Sequence, residues 1–457
     1  MLPFFPKHWL VDRNAWKERA IIWLAAVATG LVVVAFCRVT DFAGGYFNTL
    51  TRHYAWITLL LCPLTAVAIV WVTRRFFPGA EGSGIPEVSA ALREHTPEEK
   101  VGRWVSLRIA FGKVVLCAVG LAAGFSIGRE GPSVQVGASV MYAVRKHLTR
   151  HSRQFGKNLM LAGGAAGIAA AFNTPLAGII FAIEELGKRF EEKTNGVLIS
   201  AIVLSGLISV SLQGNYVYFG RLSVESVDYH ILWPVFVCAI ACGVAGGMFG
   251  RILIYVSTPG SGKLSTYRRE HPYYWAGACG LLVALFGLAT GGATYGSGYL
   301  YTQWTLEGMT HMVWYYAPLK FAATVVSFLS GLPGGIFAPS LAVGVGIGAG
   351  LHDLFQGVSL LSVYALCMAG FLAAVTQAPL TSFIIVMEMI DGHEMVISLM
   401  AVAMLSSFIA RFFSPPLYTA LADLRLRQLA LAERAKTGDG PPEAIPVSGE
   451  GEIGRKT

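Results

Sequence analysis

A chain of 457 residues, 54% hydrophobic and 14% charged, departs from soluble domains, in which about a quarter of residues carry charge. That balance excludes an ordinary soluble globule and predicts an all-α polytopic membrane protein. The net charge of +8 is scattered over short connections between apolar runs, so it gives no reason to expect a nucleic-acid partner.

In chain order, a basic amphipathic segment (1–19) comes first. An apolar hairpin follows, Ala20 to Val39 and Tyr54 to Val72, and stops before Arg74-Arg75. No secretory signal is evident: the first run lacks a cleavage site and is long enough to remain as a helix. A glycine loop, Gly79 to Glu87, then feeds a short helical stretch, Val88 to Leu92, with Pro86 suited to its first turn. The runs Leu107 to Phe125, Asn158 to Ile183 and Gly196 to Leu212 complete a first membrane half, 20–213. A connection, 214–231, leads to a second half, 232–434. Its runs are Ile231 to Val256, Tyr273 to Thr290, Met312 to Leu329, Ile336 to Phe355, Leu360 to Val375, Pro379 to Met389 and Met395 to Phe413. The tail, 435–457, is polar and expected to be disordered.

Lys and Arg concentrate in Lys7 to Arg19, Arg145 to Lys157, Lys188 to Lys193, Arg251 to Arg269 and Arg425 to Lys436. The positive-inside rule places these, and both termini, in the cytoplasm. Gln213 to His230 and Gly291 to His311, nearly free of basic residues, then face outward. The seven cysteines lie in apolar runs without a CxxC pair and read as small core residues. His352-Asp353 and His393-Glu394 lack zinc spacing, and the tryptophans read mostly as interfacial anchors.

The halves repeat one another. Pro132-Ser133-x-x-Val136-Gly137 is matched by Pro339-Ser340-x-x-Val343-Gly344. Ala170 to Leu176, with Glu184 nine residues past its proline, is matched by Ala373 to Leu380, with Glu388 nine past its own. Polar breaks at corresponding positions of two repeated halves point to a binding site near the membrane midplane where the halves meet.

Three such breaks stand out: Gly82-Ser83-Gly84-Ile85-Pro86, Gly128-Arg129-Glu130-Gly131-Pro132 and Gly334-Gly335-Ile336-Phe337-Ala338-Pro339. Each places glycine where the backbone turns and proline where a helix begins. A helix N-terminus offers about four unpaired N–H groups and roughly half a positive charge. Converging ends of this kind bind an anion without a full countercharge, weakly enough to release it. Glu130 is the exception, because a carboxylate at membrane depth costs about 2.5 to 3.5 kcal/mol on insertion scales. It is itself an anion, competes for the same donors, and vacates its place when protonated, so one group can couple anion to proton movement. An ion pair between Glu130 and Arg129 is the structural alternative, disfavoured because adjacent helical residues do not face one another.

These motifs, in this order, together with Pro415-Pro416-Leu417-Tyr418, resemble the CLC family of chloride channels and chloride/proton antiporters, prokaryotic type without CBS domains. The resemblance spans about Ala20 to Arg434. It implies a fold of many tilted and broken helices in two repeated, inverted halves, and a homodimer in a bacterial inner membrane. Chloride is then the transported ligand, with no cofactor and no metal. Ser83 and Tyr418 become hydroxyl donors to a dehydrated anion, and the amides of Ile336 and Phe337 complete its site. Glu130 becomes the gate, and Glu185 an internal proton carrier. The backbone of Gly82, Gly84, Gly128, Arg129, Gly131 and Gly335 shapes the selectivity motifs. The resemblance links proline at the position of Ser83 with nitrate preference, and serine stands here.

Antiport and passive chloride conduction on the same fold both fit, and Glu185 favours antiport. Read without the resemblance, Ser83 could be a helix cap, Tyr418 an interfacial aromatic, and Glu184 and Glu185 part of a salt-bridged helix end with Lys188 and Arg189. Glu184 reads as structural, and Lys320 as a snorkelling or packing residue. An intramembrane serine protease at Gly296-Ser297-Gly298 lacks a histidine in a plausible apolar partner segment; on this reading Ser297→Ala leaves ion flux intact.

Overall fold

The computed structural model describes residues 13–93, 96–148, 153–187, 195–214, 219, 229–355 and 357–437. Most of the amphipathic start, most of 214–231, Lys188 to Lys193 and most of the polar tail lie outside them. The first half comprises α1 (Arg13–His53), α2 (Thr58–Phe76), α3 (Ile85–Leu92), α4 (Glu98–Val101), α5 (Leu107–Ala122), α6 (Glu130–Ala143), α7 (Arg153–Phe172), α8 (Pro175–Phe181) and α9 (Asn195–Gln213). The second comprises α10 (Leu232–Ser257), α11 (Lys263–Glu270), α12 (Pro272–Ala289), α13 (Tyr299–Leu306), α14 (Tyr316–Leu329), α15 (Phe337–Leu351), α16 (Leu360–Thr376), α17 (Pro379–Ile390), α18 (Val396–Ala410) and α19 (Leu417–Thr437). Six helical stretches among the described residues are long and apolar enough to cross a bilayer. Leu24, Phe42, Trp71, Phe111, Leu232, Trp233 and Phe412 are exposed on the outside of the bundle, where lipid covers apolar side chains.

The expected break between Val39 and Tyr54 is absent: α1 continues without interruption to His53. At 1.5 Å per residue its 41 residues span about 60 Å, twice the hydrocarbon thickness, so it crosses at a tilt or extends past one face. Its polar stretch stays helical because the threonines bond backwards onto their own helix. Thr40, Thr49 and Thr51 donate to the carbonyls of Phe36, Gly45 and Phe47 at 2.9–3.0 Å. Conversely, the run Asn158 to Ile183 is split. Asn173, with φ of 59°, turns the chain before Pro175 opens α8, and Gln377, with φ of 57°, does the same before Pro379 opens α17. The segment Gly291 to His311, expected to face outward between apolar runs, contains α13.

The repeat is exact in register near its centre. Lys113 and Lys320, Gly128 and Gly335, Glu130 and Phe337, and Pro132 and Pro339 all stand 207 residues apart. Gly128 and Gly335 form an antiparallel bridge with two reciprocal N–H to O=C bonds of 2.7 Å. The chain segments run antiparallel at this bridge and parallel at a second one, between Gly82 and Pro333.

A second reciprocal contact joins the matched glutamates. Glu184 accepts from the N–H groups of Leu380 (3.0 Å) and Thr381 (2.7 Å) at the start of α17. Glu388 accepts from those of Leu176 (3.3 Å) and Ala177 (2.8 Å) at the start of α8. Each carboxylate caps the helix of the opposite half, where the helix dipole favours negative charge. Glu388→Ala, which strands two amides of α8, is expected to lower stability by about 1–3 kcal/mol, with Glu388→Gln intermediate. Thermal unfolding in detergent measures this, and an unchanged midpoint for the alanine variant would contradict the cap.

Candidate anion site at three helix N-termini

The three glycine-rich breaks are stitched together by their own main chain. Gly82 donates to Leu332 O (3.3 Å) and accepts from Gly334 N (3.0 Å), beside the Gly128–Gly335 pair. Buried backbone groups without water need such partners. Satisfying them sideways brings the N-terminal ends of α3, α6 and α15 to one place. As the first amides of α15, Ile336 and Phe337 have no carbonyl one turn earlier.

Glycine is required here by close approach. A Cβ at Gly131 would sit 2.3 Å from Ser83 Oγ and 2.9 Å from Ser83 O, and one at Gly128 would sit 2.2 Å from Glu130 Oε2. Gly84 and Gly335 pack similarly against Gly131 O and Gly131 N, at 2.8 and 3.0 Å from a Cβ. Gly82 and Gly84 have φ of 71° and 102°, which turns the loop so that Ser83 points inward.

Around this junction the polar atoms are left over. Ser83, Glu130 and Tyr418 are at most 1% exposed. Ser83 Oγ, both Glu130 carboxylate oxygens and Tyr418 Oη have no hydrogen-bond partner in the protein. The two hydroxyls face each other. The amides of Glu130 itself and of Ala338 face the carboxylate without closing a bond of normal geometry. Phe337 stacks on Tyr418 at 6.0 Å between ring centroids and 12° between planes, which fixes the tyrosine ring. Unpaired buried polar groups each cost about 1–3 kcal/mol, so their convergence suits an anion that accepts from hydroxyls and amides alike.

Arg129 does not pair with Glu130. Its guanidinium binds Asp41, Cys37 O (3.0 Å) and Thr40 Oγ1 (3.2 Å) on α1. Glu185 is buried, on a π-helical turn, Ala182–Gly187, that continues α8; such turns recur at functional sites. The turn sends Glu184 to α17 and leaves Glu185 buried in the interior.

Several supporting residues gave no sequence signal. Lys113, fully buried, donates from Nζ to Gly82 O (2.9 Å) and Glu81 O (3.4 Å), bracing the Ser83 loop. Two turns beyond Tyr418 on α19, Arg425 bonds Glu87 (2.9 Å) and Glu81 (3.1 Å), and Glu87 in turn accepts from Gly84 N (2.9 Å). Lys320 does not snorkel: it is fully buried, and Nζ donates to Thr294 O (3.0 Å) and Gly296 O (2.8 Å).

Two cavities approach the junction. One, of about 770 Å³, is lined by Ser83, Glu81, Glu87, Arg74, Arg268, Arg269 and Arg425. Burial and the Arg425 charge lower Arg268, on the surface helix α11, to about 10, so it stays protonated at neutral pH and the cavity carries an excess of positive charge. The other, of about 640 Å³, is lined by Glu130, Arg129, Asp41, Ser297 and Gly298. Ser83 and Glu130 stand between them.

Residues 64–411 match a family model described as voltage gated chloride channel. An H(+)/Cl(-) exchange transporter, ClcA, of Cronobacter sakazakii is 30% identical over 446 residues, 91% of each chain. A protein of the same name from Salmonella typhi is 29% identical over 452 residues, 92% of each. Among solved structures, a slow cyanobacterial Cl-/H+ antiporter superposes with a TM-score of 0.79 at 24% identity, covering 91% of this chain and 99% of its own. A CLC-type fluoride/proton antiporter superposes with 0.75 at 20%, covering 90% and 99%. These superpositions establish the fold as that of CLC transporters.

The close approach at Gly131 yields a direct test. Gly131→Ala drives a methyl into Ser83 and is expected to weaken anion binding about tenfold or more, the equivalent of about 1.4 kcal/mol per factor of ten. Calorimetric titration of purified protein with chloride measures it, and unaltered affinity would separate Ser83 from the site.

Proposed function

Because the chain belongs to the voltage gated chloride channel family, we propose that it is a chloride/proton antiporter in which Glu130 is the gate. The observation that carries this reading is the convergence of Ser83 Oγ, Tyr418 Oη and the Glu130 carboxylate, all buried without protein partners, on three helix N-termini. Chloride held by Ser83, Tyr418 and the amides of Ile336 and Phe337 lies on the Arg-rich side of Glu130. The ionised carboxylate occupies the next anion position, facing the amides of α6 and α15. An arriving proton removes its charge, weakens its hold on those amides and frees the position for chloride; return of the carboxylate expels the ion.

Glu185, buried on the turn that continues α8, supplies the proton from the Ser83 side. The Ser83-side cavity, ringed by Arg74, Arg268, Arg269 and Arg425, is cytoplasmic by the positive-inside rule. Both termini then lie inside, and the Glu130-side cavity opens outward. The protein works as a homodimer in a bacterial inner membrane, each subunit with its own pathway. Ser83, rather than proline, favours chloride over nitrate. Family membership sets aside the protease reading.

Passive conduction is the competing function, and proteoliposomes discriminate. An imposed chloride gradient is expected to drive uphill proton movement in the wild-type protein. Glu130→Gln and Glu185→Gln are each expected to retain chloride flux and lose proton flux. Proton coupling that survives Glu130→Gln would sink the gate assignment, and unchanged fluxes with Glu185→Gln would remove the carrier. Fast chloride flux without proton movement in the wild type would make the protein a channel.

A further inference from the structure

Next to Glu130 in sequence stands a full positive charge that the gate leaves unused. Arg129, the N-cap of α6, has a side chain only 8% exposed, while that of its ion-pair partner Asp41 is 56% exposed. A buried guanidinium is costly unless a carboxylate and further acceptors meet it. About one turn of α1 supplies them all: Asp41, Cys37 O at 3.0 Å and Thr40 Oγ1 at 3.2 Å, each bonded to Nη1. They are in place because α1 runs unbroken through its polar stretch to His53. At the repeat offset Arg129 is matched by Ile336, so this charge belongs to one half only.

Asp41, Arg129 and Glu130 line the same 640 Å³ cavity. Both Glu130 carboxylate oxygens lack a protein partner, so Arg129 is held near the carboxylate without bonding it. An unanswered guanidinium there would favour the ionised carboxylate. Paired with Asp41, it presents little net charge to the cavity. The other titratable groups near Glu130 are the thiols of Cys37 on α1 and Cys117 on α5 and the hydroxyl of Tyr418 on α19, and Arg52 also lines the cavity. On α3, which packs on α6 as well, Glu87 is engaged by Arg425 and Gly84 N. The buried stretches of α7 and α15, the remaining neighbours of α6, carry no titratable side chain. Asp41 is the carboxylate placed to answer Arg129.

From this geometry we infer that Asp41 is a positioning residue for the gate: it holds the Arg129 guanidinium on α1 and cancels its charge, so that Glu130 can take up a proton and vacate the anion position. Asp41 acts through Arg129 and binds neither transported ion. Without the Asp41 charge, Arg129 is uncompensated beside Glu130 and the ionised carboxylate is favoured. A higher proton concentration is then needed to free the anion position, and the proton-dependent step moves to lower pH. The inference rests on the reading of Glu130 as the gate.

Chloride flux through proteoliposomes, followed against pH with the same pH on both sides, tests this. In the wild-type protein flux is expected to rise as pH falls. Asp41→Asn is expected to move the midpoint of that rise about one pH unit towards acid, and Asp41→Glu, which keeps the charge, to leave it near the wild-type value. In the Glu130→Gln background Asp41→Asn is expected to leave chloride flux unchanged, because no carboxylate remains to be held. An unmoved midpoint with Asp41→Asn, an equal shift with Asp41→Glu, or the same loss of flux in the Glu130→Gln background overturns the inference and leaves the ion pair a packing element of α1. If Asp41→Asn fails to assemble, Arg129→Gln decides. The Asp41 charge is then unanswered, the midpoint is expected to move towards alkaline pH, and an unmoved midpoint overturns the inference. The two readings fail separately. Proton-coupled flux that survives Glu130→Gln rejects the gate itself, whereas a wild-type midpoint in Asp41→Asn beside an uncoupled Glu130→Gln rejects only the role of Asp41.

Discussion

Main-chain hydrogen bonds between glycine-rich breaks are the constraint from which the site follows. A chain interrupted inside a bilayer exposes amides and carbonyls that no water can satisfy, and here the breaks satisfy one another. Gly82 pairs with Leu332 and Gly334, and Gly128 pairs with Gly335. These pairings hold three helix starts together more tightly than side chains could, since a Cβ at Gly131 would already overlap Ser83. The amides that remain are those of the helix starts, aimed at a common point. On the proposed function, anion affinity is a by-product of how the backbone is closed.

The same architecture explains why the two halves are not equivalent in use. Their repeat relation places Glu130 against Phe337 and Lys113 against Lys320. At the first pair one member carries a carboxylate and the other only an amide and a ring that stacks on Tyr418. A carboxylate at both positions would put two negative charges on one set of donors. Direction enters as well: α19 brings a hydroxyl and the Arg425 ion-pair network to the Ser83 loop only. A symmetric scaffold therefore holds a pathway with two unlike ends.

Much of this was legible in the chain itself. The breaks, the repeat and the burial cost of Glu130 follow from glycine, proline and charge placed in apolar runs, all local signals. What escaped was long-range. Lys113 reads as one polar residue in the apolar run Leu107 to Phe125, and its purpose appears only when Gly82, 31 residues earlier, offers its carbonyl. Arg425 meets Glu87 across 338 residues. The polar stretch 40–53 reads as a loop because hydropathy does not register threonines that bond back onto their own helix. Lys320 reads as a snorkelling or packing residue; that it is packed, with Thr294 and Gly296 as acceptors, depends on a segment 24 to 26 residues earlier. Glu184 was read as structural from its match with Glu388, but the sequence did not reveal that each caps the other's half.

That exchange of caps bears on how the protein is made. While the chain is being synthesised, the first amides of α8 wait for a carboxylate more than two hundred residues downstream, and Glu184 waits equally for the start of α17. Neither half can complete its own helix ends. Each acts as an intramolecular chaperone for the other, so the halves should become resistant to proteolysis together, and a first half released alone would be a substrate for quality control rather than a smaller transporter.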